Sequence, residues 1–153
     1  MPRTTAFLVA ALAIVLIAAG PAAASTAAAG NAPTIVTEPI DDFNVHEEPD
    51  GSVTTSRVTG SRTTMEFPDG RYMLRERYTL HQTSTDPSGA VVFDSTSDTS
   101  VKVIAEGERT VLFSLTSEGT TTLADGSECT FSTTFLVAND RLIKNEQTGP
   151  ICS

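Results

Sequence analysis

The chain contains no tryptophan, only two tyrosines and two histidines, and no cysteine before residue 129. Each shortage closes a route. Few aromatics leave little from which to build a platform for stacking sugar rings. His46 and His81 lie far apart and do not make a zinc spacing, which needs several Cys or His ligands close together. With no early thiol, there is no attachment point for a lipid anchor near the start. Basic residues are scarce too: ten Lys and Arg against nineteen Asp and Glu give a net charge of −9. That excess disfavours nucleic acid and anionic membrane surfaces as partners. Neither a Gly-x-Ser-x-Gly elbow, a phosphate loop nor a dinucleotide fingerprint occurs. The sequence thus assigns no catalytic residue, metal ligand or cofactor.

Long apolar runs are missing after residue 19, and the one before it has a clear meaning. Met-Pro-Arg is followed by an uncharged stretch from Phe7 to Ala19, then by Gly20-Pro21 and Ala22-Ala23-Ala24 before Ser25. A basic start, a short apolar core and small residues describe a secretory signal peptide, 1–24, with an N-terminal signal helix. The run falls short of the roughly 20 residues of a membrane span. Cleavage after Ala24, or a few residues later at Ala27-Ala28-Ala29, releases a secreted, extracellular protein with no membrane attachment. Residues 25–51 read as a flexible acidic arm with at most one short edge strand, because Pro39 and Pro49 interrupt it. Residues 52–153 read as one folded domain.

Threonine, serine, valine and phenylalanine dominate that domain, and apolar residues recur every second position. Val111, Phe113 and Leu115 precede Ala124-Asp125-Gly126; Cys129, Phe131, Phe135 and Val137 follow it. A two-residue period marks a half-buried strand. A type I turn with a left-handed Gly126 pairs Leu123 with Ser127, and so Leu115 with Phe135 and Phe113 with Val137. By the same reasoning a three-residue loop at Glu106-Gly107-Glu108 pairs Val103 with Val111 and Val101 with Phe113. Pro68-Asp69-Gly70 leaves two registers open. A bulged turn pairs Met65 with Met73 and Arg62 with Glu76; a loop one residue longer gathers Met65, Phe67, Tyr72 and Leu74 on one face. Gly60-Ser61 reads as a bend between two strands. Cys129 and Cys152 fall near each other once the strand after Asn139-Asp140 folds back. An exported chain meets oxidising conditions, so they are expected as a disulfide, with a stabilisation of roughly 3 kcal/mol in the chain-entropy model.

The fold expectation is all-β: an antiparallel up-and-down meander closing into a small barrel of about seven or eight strands, with a β-sandwich as the alternative. Closure is expected because it removes exposed edges.

Two clusters merit weighing as sites. Arg75, Arg77 and His81 share the polar face of one strand and form a candidate anion- or ligand-binding face, which is otherwise a solvated surface. Asp41, Asp42, Glu47, Glu48 and Asp50 are rich in oxygen, but they do not follow the Asp-x-Asp-x-Asp-Gly pattern of a calcium loop.

The order of strands, Phe67-Pro-Asp-Gly70, Asp86-Pro-Ser-Gly89 and the late cysteine pair resemble small secreted actinobacterial β-barrel proteins of unknown function, over about Asp42–Cys152. Many of those carry an additional early cysteine that this chain lacks. The resemblance implies export and a barrel and brings no active site. Function is therefore expected in one of two classes. One is a non-enzymatic β-barrel that binds a small molecule or a surface protein. The other is a barrel-type cyclase or isomerase acting on a small hydrophobic substrate, which needs a histidine or carboxylate inside a pocket. A filled interior would leave a structural or protein-contact role.

Overall fold

The computed structural model describes residues 32–153; the expected signal peptide lies outside them. The described residues form seven strands and no helix: β1 (Thr34–Glu47), β2 (Val53–Glu66), β3 (Arg71–Thr85), β4 (Val91–Glu106), β5 (Arg109–Leu123), β6 (Glu128–Ala138) and β7 (Arg141–Cys152). They make one antiparallel sheet in the order β1 to β7, each strand paired with its sequence neighbour. The meander is as expected.

The turns follow from their residues. Gly51, Gly70, Gly89 and Gly126 take the left-handed conformation that closes each loop. In all four of these turns an aspartate carboxylate accepts the backbone N–H two residues on: Asp50 from Ser52, Asp69 from Arg71, Asp86 from Ser88, and Asp125 from Ser127. These bonds hold the four carboxyls below the ordinary aspartate range, and at Asp86 and Asp125 the Ser88 and Ser127 hydroxyls contribute most.

Registers confirm most of the sequence expectations and correct one. Leu123 and Ser127 bond at 3.0 Å, Leu115 lies opposite Phe135, and Phe113 opposite Val137. At Pro68-Asp69-Gly70 the turn chemistry prevails: Met65 pairs with Met73 and Arg62 with Glu76. Between β4 and β5, Val103 pairs with Phe113 and Val101 with Leu115, two residues from expectation. Glu106 pairs with Arg109 across a shorter loop, and a register shift beside Ala105 makes up the difference. A shift of two preserves the faces, so apolar still meets apolar.

Two segments are more regular than expected. Residues 34–47 are not a flexible arm but a 14-residue edge strand paired along its whole length with β2. Pro39 is tolerated there because an edge strand has one row of N–H groups with no partner to lose. Gly60 does not bend the chain between two strands; it lies within β2. A Cβ at Gly60 would run into the Arg77 carbonyl and the Tyr78 backbone, so the glycine permits close approach rather than a break.

The sheet does not close into a barrel, nor does it fold into a sandwich: among the described residues β1 and β7 each pair on one side only. Two features of the meander account for this. Seven strands alternate in direction, so β1 and β7 run the same way and closure would need a parallel seam. The strands are also nearly level. Thr34, Glu66, Tyr72 and Ala105 form one row, and Glu47, Val53, Thr85 and Val91 another. Barrel closure needs a stagger of several residues between first and last strands, which would leave edges of this length little overlap.

Candidate functional site

Directly opposed residues share a face, so the registers divide the sheet into two surfaces. One carries Tyr72, Leu74, Tyr78 and Leu80 from β3, Phe93, Val101 and Val103 from β4, Phe113 and Leu115 from β5, and Phe131, Phe135 and Val137 from β6. On this face the odd positions from Phe93 to Ala105 in β4, Val111 to Leu123 in β5 and Cys129 to Val137 in β6 include no charged residue. The opposite face of the same strands carries Asp94, Asp98, Lys102, Glu118 and Glu128 among threonines and serines.

The apolar face has two clusters of large side chains separated by a waist of small polar ones. Phe113 and Phe135 meet edge to face with ring centroids 6.0 Å apart. Beyond the waist, the Phe131 ring lies over Gly119, 2.8 Å from where a Cβ would stand. In the waist, Ser97, Thr99 and Thr121 are buried. The Thr99 and Thr121 hydroxyls are engaged locally. Thr99 and Ser117 share a hydrogen bond of 2.9 Å; Thr121 Oγ1 donates to Ser95 Oγ at 3.0 Å, and Ser95 Oγ donates to the Thr120 carbonyl at 3.1 Å. No buried side-chain nitrogen or oxygen among the described residues lacks a partner. Burial raises the Tyr78 phenol, offset in part by a hydrogen bond with Thr99. Burial raises Tyr72 as well.

Despite this pattern, Cys129, at 2 % exposure, is the only buried hydrophobic side chain among the described residues. It lies opposite Cys152, to which it is disulfide-bonded. Phe113, Leu115, Phe131 and Phe135 are half-buried. The sheet therefore has an apolar face and no second layer over it among the described residues.

Arg75, Arg77 and His81 stand on the other face, exposed, as their spacing implied. The structure separates them chemically. His81 Nε2 lies 3.2 and 3.3 Å from the two oxygens of the Asp94 carboxylate, which also accepts from Thr83 at 2.9 Å. Arg75 lies opposite Lys102, so positive charge gathers at that end and is balanced at the His81 end. Lys102 was invisible as a neighbour until β3 and β4 were placed in register. Arg77 borders an open trough of about 770 Å³ crossing β2 to β6. Its walls are mostly hydroxyls (Thr59, Ser100, Thr116, Ser132 and Thr134), with Asp98 accepting from Thr79 at 2.6 Å. Asp98 and Glu118 are both exposed.

The acidic residues of the first strand do not converge. Asp41 and Asp42 point to opposite faces, and Asp41 is paired with Arg57 at 3.0 Å. No cluster of three or more metal-ligating side chains is present among the described residues. The chain matches no family model, no curated protein and no solved structure.

Proposed function

We propose that this is an exported, non-enzymatic contact module that acts through the broad apolar face of its sheet. The observation that carries this reading is the charge-free face of β4–β6, whose phenylalanines stay half-buried while the opposite face takes the charges. Apolar area of that extent is held out of water by a partner in stable soluble proteins. The signal-like start and the disulfide support export.

An open sheet disfavours the other readings. A small-ligand barrel and a cyclase-like barrel both rest on an enclosed lumen, and the trough on the hydroxyl face is open with its carboxylates in water. Native mass spectrometry of the protein taken from its own secretion medium tests the proposal. The chain is expected to appear bound to protein, with no small-molecule adduct. A stoichiometric small-molecule adduct, or a bare monomer, would overturn the contact reading.

A further inference from the structure

We infer that the partner on the apolar face is a second copy of this chain, packed face to face across a two-fold axis. The inference rests on the contact-module reading and names its partner.

Three observations point to a copy of the same face. The first is area. At about 4.8 Å between strands and about 3.3 Å per residue, β3–β6 present a face of about 800 Å², which matches the ~800 Å² each partner contributes to a standard stable interface.

The second is that the face is prepared for drying. Its waist hydroxyls on Ser95, Thr99, Ser117 and Thr121 already satisfy one another or the backbone. A dry layer placed over these four therefore covers hydroxyls that already have a protein partner, where an unpaired buried hydroxyl would cost about 1–3 kcal/mol.

The third is charge. The chain carries a net −9, and two copies must keep their acids apart. On the apolar face the acids Glu38, Asp42 and Glu66 lie on the β1–β2 flank, and Glu76 of β3, opposite Val101, is paired with Arg62 of β2. With a two-fold running along β5, β4 covers the partner's β6 and the β1–β2 flank projects past the partner's β7. The flank acids then stay in solvent, and Glu76 enters the seam with its charge already paired by Arg62. The waist of one copy meets the waist of the other, and large clusters face large clusters. The result is a two-layer sandwich of a kind a single copy cannot make.

The inference is tested on the mature, oxidised chain purified alone. Sedimentation velocity at micromolar concentration is expected to give twice the chain mass. Small-angle scattering is expected to give a compact two-layer particle, not the long flat ribbon of edge-to-edge pairing. Ser117→Arg places an unpaired charge in the waist and is expected to weaken association by about a hundredfold or more, with the β-sheet circular dichroism retained. Thr116→Arg, the next residue on the opposite face, should leave the dimer intact. A monomer, a ribbon-shaped dimer, or equal responses of the two variants would each overturn the inference. The ribbon and monomer results stand without any variant, should Ser117→Arg fail to fold. A monomer when pure, but a complex with another protein in native medium, would sink the self-pairing and leave the contact-module reading standing. A monomer in both would sink the two together.

Discussion

The two faces of this sheet share every backbone hydrogen bond and yet differ in what their side chains do. On the apolar face, polar groups bond to each other and leave water: Thr99 to Ser117, Thr121 to Ser95. On the hydroxyl face, threonines alternate with charges that stay in solvent, and ion pairs such as Arg57–Asp41 are exposed on both partners. Exposed pairs of that kind contribute about 0–1 kcal/mol each. The stability of the fold is therefore expected to lie on one side of the sheet, and mutations at neighbouring positions should separate the two.

The largest effect is expected at Phe131. Its ring covers Gly119 and anchors one apolar cluster. Phe131→Asp should abolish cooperative folding, as a charge on that face adds a desolvation cost to the packing lost with a half-buried phenylalanine, itself a part of the ~3–5 kcal/mol of a fully buried one. A soluble variant with an unchanged urea midpoint would mean that the faces are not different in kind. Next comes the staple at the end of β6 and β7. Reduction of Cys129–Cys152 should lower stability by roughly 3 kcal/mol and the melting temperature by about 10 °C. An unchanged midpoint under reductant would show that β7 is held by its hydrogen bonds alone.

Smaller effects sharpen the contrast further. Thr99→Val leaves Ser117 without its partner and should cost about 1–3 kcal/mol, whereas Thr120→Val on the opposite face should stay within about 0.5 kcal/mol. Equal costs would erase the distinction. The least effect should come from acid. Asp69, Asp86 and Asp125 have carboxyls held below their ordinary value by turn hydrogen bonds. A depressed folded-state value adds stability that is present above the unfolded aspartate range and lost as pH falls through the folded value. Urea midpoints should thus be flat above about pH 4 and decline slightly below it. These carboxyls are in water, so the decline is expected to be shallow, and a steep one would show that the turn carboxyls are not its source.

How far the chain could be read from its letters depended on whether local signals agreed. At Ala124-Asp125-Gly126 the turn residues and the two-residue period demand the same register, and the β5–β6 hairpin is legible to the individual pair. At Pro68-Asp69-Gly70 the turn and the apolar pattern disagree. The turn wins because a left-handed Gly70 and the Asp69 bond to Arg71 act within four residues, while Met65 and Met73 are satisfied by facing each other on the less apolar side. β1 was harder to read because edge strands carry the prolines and acids that elsewhere signal loops. Closure could not be read at all: it depends on the parity of the strand count and the level of the strand ends, which are properties of the assembled sheet. The candidate Arg75, Arg77 and His81 stripe was legible as a face. Its electrostatics were not, because Asp94 and Lys102 reach it across a register that no local pattern encodes.

The parallel run of β1 and β7 also fixes how the sheet would carry a load. β1 enters at the row of Glu66 and Tyr72, and β7 leaves at the opposite end, where Cys152 meets Cys129. Tension between these two diagonal corners pulls β1 along its own axis, so its hydrogen bonds to β2 resist together in shear instead of unzipping one at a time. At the other corner the force passes through the disulfide into β6, and β7 bears almost none of it.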